Sequence, residues 1–239
     1  SIGMTITVHR GAKEIGGNCV EIATGSTRVI LDVGIPISEL CPRDDKDRKR
    51  RREPSLPNVP GLFGDGPKVD AILLSHAHAD HTGLLDKVDP AIPVYLSTGT
   101  SKMLQAGSIF AGGVHLGRER TRTIAVGQPF HIGDLRITAF NVDHSTFDCL
   151  AFLIEGKGRR VLYSGDLRLH GRKPGMAETL LNGIWGRSVD VLLMEGTNIA
   201  RPDKVCVTEE DLEARIRRVV ELSPGLVLAA FSPQNVDRM

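Results

Sequence analysis

No apolar run among the 239 residues approaches the ~20 that a membrane-crossing helix needs, so nothing reads as membrane-embedded. The opening Ser1-Ile2-Gly3-Met4 has neither a charged n-region nor an apolar h-region, and therefore does not read as a secretory signal. Cysteine is scarce. Cys19, Cys41, Cys149 and Cys206 lie far apart, with no two at the spacing of a metal knuckle. Without a secretory context they read as reduced thiols of a cytoplasmic protein. An excess of one charge is also missing. Thirty Lys and Arg against 29 Asp and Glu leave a formal net charge of +1, which argues neither for nor against a polyanionic partner, since a neutral total can hide a basic cleft. Internal repeats are absent, and the one biased tract is Arg48-Lys49-Arg50-Arg51-Arg52. With 41% hydrophobic and 25% charged residues, the composition is that of an ordinary globular chain and excludes disordered and fibrous classes. The length suits one large domain, or one domain plus part of another.

What is present is an alternation of short apolar strands, glycine turns and a few helices. Thr5 to Val8 reads as a strand and is followed by Gly11-Ala12-Lys13-Glu14-Ile15-Gly16-Gly17-Asn18. Cys19 to Ile22 and Arg28 to Leu31 form a hairpin about Gly25-Ser26. From Pro36 to Pro67 the chain is rich in proline, glycine and charge and has no period, which marks a long loop of the functional or disordered kind. The continuous apolar run Val69 to Leu74 is of buried-strand type. Helical signals cover Asp80 to Val88 and Ser101 to Ala111. Further strands are expected at Leu135 to Phe140, Leu150 to Glu155, Arg160 to Tyr163 and Val189 to Met194. An amphipathic helix is expected over Thr208 to Leu222, with Leu212, Ile216, Val219 and Val220 on one face, followed by a strand from Gly225 to Ser232.

The chemistry collects at strand ends. Directly after the run ending at Leu74 comes Ser75-His76-Ala77-His78-Ala79-Asp80-His81-Thr82-Gly83. Three imidazoles and a carboxylate within six residues are a density of metal ligands that a structural role rarely needs. Zinc takes histidine nitrogen and aspartate oxygen, and a catalytic site keeps one position open for water. In an extended stretch His76 and His78 point the same way and can share one ion. Asp80 and His81 begin the next turn and can aim at a second ion, about 3.5–4 Å from the first. His144 follows one downstream strand and Asp166, in Ser164-Gly165-Asp166-Leu167-Arg168, follows another. Asp32 closes the strand before Val33-Gly34 and reads either as a turn residue or as support for a ligand. His9, His115, His131 and His170 lack such company, although His170 is near enough to touch a substrate phosphate.

The series His76-x-His78-x-Asp80-His81, His144 and Asp166 resembles the metal motifs of the metallo-β-lactamase superfamily, in order and over nearly the whole chain. The resemblance implies an α/β fold, the αβ/βα sandwich of that superfamily. It further implies two zinc ions, with manganese or iron able to take the same ligands. His76, His78 and His144 would hold one ion. Asp80, His81 and a bridging Asp166 would hold the other. A finer likeness points to the nucleic-acid branch that carries an inserted β-CASP domain, the branch of ribonuclease J and the cleavage-and-polyadenylation endonuclease. It rests on Gly11 to Cys19, Leu31-Asp32-Val33-Gly34, Tyr163 to Arg168, and Met194-Glu195-Gly196-Thr197, which fits the branch's signature acidic motif.

Residues 1–200 would then be the lactamase-like domain, lacking its closing strands, and 201–239 the start of the β-CASP domain. Asp80, Asp166 and Glu195 are the catalytic carboxylates that this implies. The activity is phosphodiester hydrolysis by a metal-activated hydroxide, with RNA as partner and single-stranded DNA as the second choice. No histidine follows His170, whereas the branch draws one more ligand and a proton-donating histidine from later in its chain. The chain is thus expected to be an N-terminal piece, with weak or no activity by itself. Two rivals stand beside this reading: a small-molecule hydrolase of the same fold acting on a thioester or lactam, and a non-catalytic nucleic-acid-binding subunit. The arginine run is by default solvated loop charge. Its place between two strands that end at the site also suits a grip on phosphates, which salt would weaken.

Overall fold

The computed structural model describes residues 3–41, 53–199 and 207–238, so the arginine run and Cys206 lie outside the described residues. Two sheets face each other. The first holds β1 (Thr5–Arg10), β2 (Cys19–Ala23), β3 (Arg28–Leu31), β4 (Ala71–Leu73), β5 (Val94–Leu96) and β6 (Thr121–Thr123), side by side in chain order. The second runs β11 (Val191–Leu193), β10 (Arg159–Tyr163), β9 (Cys149–Gly156), β8 (Leu135–Val142), β7 (Phe130–Ile132). β3 to β6 pair in parallel, as do β10 and β11, and the remaining pairs are antiparallel. The helices are α1 (Ile37–Leu40), α2 (Ala79–Thr82), α3 (Thr98–Phe110), α4 (Gly175–Ile184) and α5 (Glu209–Leu222). None of them is long and apolar enough to cross a membrane.

The continuous apolar strands explain the layering. Side chains alternate across a strand, so a strand buried on both faces is apolar throughout. In β4, Ala71 and Leu73 face the space between the sheets, while Ile72 faces a second core with Leu74, Leu84, Leu85, Val94 and Leu96. In β9, Leu150, Phe152 and Ile154 enter the inter-sheet core, while Ala151 and Leu153 pack with Phe140, Leu162 and Leu180 of α4 on the outer side. Helix, sheet, sheet, helix is the αβ/βα sandwich the motifs implied.

Two expected elements differ. The helix anticipated over Asp80 to Val88 is one turn, α2. Its ladder stops because its carbonyls are taken from outside: the Asp80 carbonyl accepts from Gly17 N (2.9 Å) and Asn18 N (3.2 Å), and His81 O accepts from Val33 N (2.8 Å). The strand anticipated at Gly225 to Ser232 does not form among the described residues. Leu226 and Leu228 are almost fully exposed there, and a strand without a partner leaves its backbone groups unpaired.

Phe152 is fully buried at the centre of the inter-sheet core. Phe152→Ala is expected to lower unfolding stability by about 3–5 kcal/mol through the cavity it leaves. Urea denaturation with an unchanged m value would show this.

Candidate metal centre

All the candidate ligands sit on turns that leave strand ends at one rim of the sandwich. β4 leads through Ser75 to His76 and His78. α2 carries Asp80 and His81, β8 leads to His144, and β10 leads to Asp166. The structure brings all six together. The ring of His76 lies 4.9 Å from that of His78, 4.0 Å from that of His81 and 4.9 Å from that of His144, and the His78 and His144 rings are 5.0 Å apart. Asp166 stands among them: Oδ1 is 3.3 Å from His81 Nε2, and Oδ2 is 3.5 Å from His144 Nε2 and 3.9 Å from His76 Nε2. Asp80 Oδ2 is 3.7 Å from His81 Nε2. Two sets have ligand atoms all within 4.8 Å of one another: His76, His78 and His144, and His76, Asp80 and His81.

Asp32 orders this cluster from beneath. It is fully buried and adopts a positive φ of 58°. Its Oδ1 accepts from Ser75 N (2.8 Å); its Oδ2 accepts from the Ser75 hydroxyl, His81 Nδ1 and the Tyr163 hydroxyl, each at 2.7 Å. A carboxylate only accepts, so His81 must donate from Nδ1 and present Nε2 to the cluster. The Ser75 hydroxyl spends its proton on Asp32 and so accepts from His76 Nδ1 at 2.9 Å. His76 Nε2 is then an unprotonated lone pair, buried and without a partner among the described residues. The α2 turn is pressed against the segment that follows β3. A Cβ at Gly34 would lie 1.6 Å from the Asp80 carbonyl oxygen, so this position admits only glycine.

The electrostatics follow. Burial, with neighbouring imidazoles, holds His76 far below the ordinary histidine value, and burial lowers His144 to about 4. Burial also lowers His78, against the pull of Asp80. His81 behaves oppositely: burial disfavours its charge, but Asp32 and Asp166 outweigh that and raise it well above the usual value. Burial raises Asp80, whereas contact with His81 overcomes burial and lowers Asp166. A buried nitrogen lone pair without a donor is costly. Imidazole and carboxylate donors that converge on one point supply what a divalent cation lacks, so the residues present fit such an ion.

Three further residues matter here that their positions in the sequence did not single out. Ser75 and Tyr163 tie Asp32 to the two sheets. Asn18 Nδ2 reaches the Tyr163 hydroxyl at 3.5 Å. A polar tip on the last residue of a buried strand was the available signal for Tyr163. Glu195 follows β11 and accepts from Leu167 N at 3.2 Å, one residue beyond Asp166. His170 is exposed on its loop, and its carbonyl accepts from Glu209 N at 3.1 Å. A groove of about 620 Å³ opens on the Asp80, His81 and Asp166 side, walled by Arg10, Lys13 and Asn18 and by Glu195 and Thr197.

Residues 27–232 match the family model described as the beta-lactamase superfamily domain. The chain belongs to that superfamily. Among curated relatives, ribonuclease J of Mycobacterium tuberculosis is 27% identical over 248 residues, covering 99% of this chain and 41% of the relative. Ribonuclease TTHA0252 of Thermus thermophilus is 29% identical, covering 84% of this chain and 45% of the relative. The chain thus spans less than half the length of these relatives. A crystal structure of a protein of unknown function from Enterococcus faecalis superposes with a TM-score of 0.75 at 24% identity, covering 92% of this chain and 58% of that one, which is a likeness of fold. Membership carries with it a divalent-metal centre, in keeping with the histidine and aspartate cluster at the rim.

Asp32→Ala removes the shared acceptor of Ser75, His81 and Tyr163. The expected result is a 10–100-fold loss in metal affinity, on the order of that seen when ligand-orienting groups are removed. Equilibrium dialysis against zinc with mass-spectrometric metal counting measures it; unchanged affinity would show that the ligands orient themselves.

Proposed function

We propose that this chain carries the dinuclear zinc centre of a phosphodiester hydrolase acting on RNA. The observation that carries the reading is the orphaned His76 Nε2, buried where four imidazoles and two carboxylates converge. His76, His78 and His144 would hold one ion. Asp80 and His81 would hold the other, with Asp166, which faces both groups, as the shared ligand. When bound, the ions would supply Lewis-acid neutralisation of phosphoryl charge and a water acidic enough to ionise near neutral pH.

The remaining work falls to the chain. Asp80 and Asp166 bring negative charge to the groove side, where a nucleophile is oriented. Asp32 keeps His81 Nε2 facing inward. Glu195 braces the Asp166 loop through Leu167 N and lines the groove together with Asp80, Asp166 and Glu14. Arg10 and Lys13 supply positive charge to the wall along which a phosphate backbone would lie. RNA is chosen because the relatives reported above are named ribonucleases. Single-stranded DNA is the competing substrate. We read residues 201–239 as the start of the second, β-CASP domain, and the setting as cytoplasmic, where Cys19 and Cys149 remain free thiols.

End-labelled single-stranded RNA and DNA, incubated with the full-length parent protein that carries this chain, with and without chelator, test the proposal. RNA cleavage that chelation abolishes, and that an Asp80→Ala, His81→Ala double variant reduces to background, is the expected result. Metal analysis should count two zinc ions per wild-type chain and fewer in the variant. A zinc-loaded protein that leaves both nucleic acids intact while hydrolysing a thioester or lactam would overturn it.

A further inference from the structure

The segment 207–238 meets the rest of the chain through a dense set of charged contacts. On α5, Ile216, Val219, Val220 and Leu222 are 47%, 61%, 51% and 72% exposed and only Leu212 of that apolar face is half-buried, so the face is largely left open. The helix's first residue is enclosed. Glu209 is buried, and its Oε1 is 3.2 Å from Arg168 Nη1. Arg168 is itself enclosed, with a side chain 7% exposed, and serves two more carboxylates: Nε donates to Asp143 Oδ1 at 3.1 Å and Nη2 to Asp237 Oδ2 at 3.1 Å. Arg238 completes the group on Glu209 (2.7 Å), and Lys173 on Asp237 (3.3 Å). Three positive and three negative side chains are interlocked, and one guanidinium lies at their centre.

That guanidinium sits on the loop that follows Asp166, and its first partner precedes His144. The contact is reinforced through the backbone. Arg168 N donates to Asp143 O at 2.7 Å, and Lys173 N to Asp143 Oδ2 at 3.3 Å. The 168–173 loop closes so tightly over Asp143 that a Cβ at Gly171 would fall 1.8 Å from Asp143 Oδ2. The other end of the His144 loop is pinned separately: Asp148 Oδ2 accepts from Gly99 N at the start of α3 (2.8 Å) and Oδ1 from Asn141 Nδ2 (2.8 Å). The loop therefore has a clamp at each end. Only the Asp143 clamp shares its cation with the 207–238 segment.

We propose that Arg168 is a positioning residue that holds the His144 loop through Asp143 and is itself held in place by Glu209 and Asp237, so that docking of the 207–238 segment tightens the metal centre. The inference rests on the reading of His76, His78 and His144 as one ion's ligands. Arginine suits the task because its rigid planar fork sends Nε, Nη1 and Nη2 to three carboxylates in three fixed directions, whereas a lysine's donors all radiate from one nitrogen. An enclosed guanidinium that loses two of its three carboxylates is strongly destabilised where it sits, so release of the segment loosens Arg168 and, through it, Asp143.

Cobalt(II) titration of the full chain, followed by its visible absorption, reads the centre; limited proteolysis within 207–238 reads docking. Arg168→Met is expected to weaken the histidine-bound cobalt by about tenfold or more and to raise cleavage of the segment. Arg168→Lys should recover only part of either effect. Glu209→Gln lies outside the centre, keeps the fold, and should weaken cobalt several-fold in the wild-type background but not in an Arg168→Met background, because both changes cut one linkage. Raised proteolysis with cobalt affinity unchanged in Arg168→Met and Glu209→Gln would overturn the proposal and leave Arg168 as a docking residue only. A wild-type chain that takes up no cobalt would instead overturn the metal-centre reading itself.

Discussion

The rim of this sandwich depends on one carboxylate. Asp32 is removed from water and placed at a turn whose φ is positive, and it collects donors from both sheets: Ser75 and His81 after β4, Tyr163 from the end of β10. An unpaired buried carboxylate would be prohibitive; a carboxylate with four donors is a strong, directional hub. Because every bond runs toward Asp32, the donors have no choice of tautomer or rotamer. His81 must turn Nε2 into the cluster, and the Ser75 hydroxyl must leave His76 Nε2 bare. Leu150 N donating to Ser75 O at 2.8 Å then fixes the same turn to β9, so the ligands inherit the rigidity of the two sheets.

That arrangement works against stability and is carried by the cores around it. Four imidazoles packed at 4.0–5.0 Å cannot all be charged, and burial keeps three of them well toward the neutral form. Neutral imidazole is the form that binds a metal. His81 departs from the others because two carboxylates flank it. The centre is also lopsided. The groove reaches Asp80, His81 and Asp166 but is not lined by His76, His78 or His144.

The buried groups beyond the centre follow the same logic on a larger scale. Arg168 does for Asp143, Glu209 and Asp237 what Asp32 does for its donors, with the signs reversed. The two hubs touch the cluster through different residues, Asp32 through His81 and Arg168 through Asp143 beside His144. Asp32 ties it to the sheets, and Arg168 ties it to a helix whose apolar residues remain largely exposed.

How much of this could be read beforehand differs by element. The candidate ligands were legible because His76 to His81 lie within one short stretch whose local geometry already aims them together, and because His144 and Asp166 each follow a stretch that reads as a strand. The two-sheet fold was legible for the same reason: continuous apolar strands need cover on both faces. The extent of α2 was not, since its ladder is cut short by amides of Gly17, Asn18 and Val33 that arrive from other parts of the chain. Nor was the absence of a strand at Gly225 to Ser232, because local apolar content cannot reveal whether a neighbouring strand is there to pair with. Asp32 could be either a turn residue or a support until folding brought Ser75, His81 and Tyr163 to it across as many as 131 residues. The Arg168 cluster lay wholly beyond local reading: its carboxylates are 25, 41 and 69 residues away, and only packing brings charges so distant in the chain within about 3 Å of one cation.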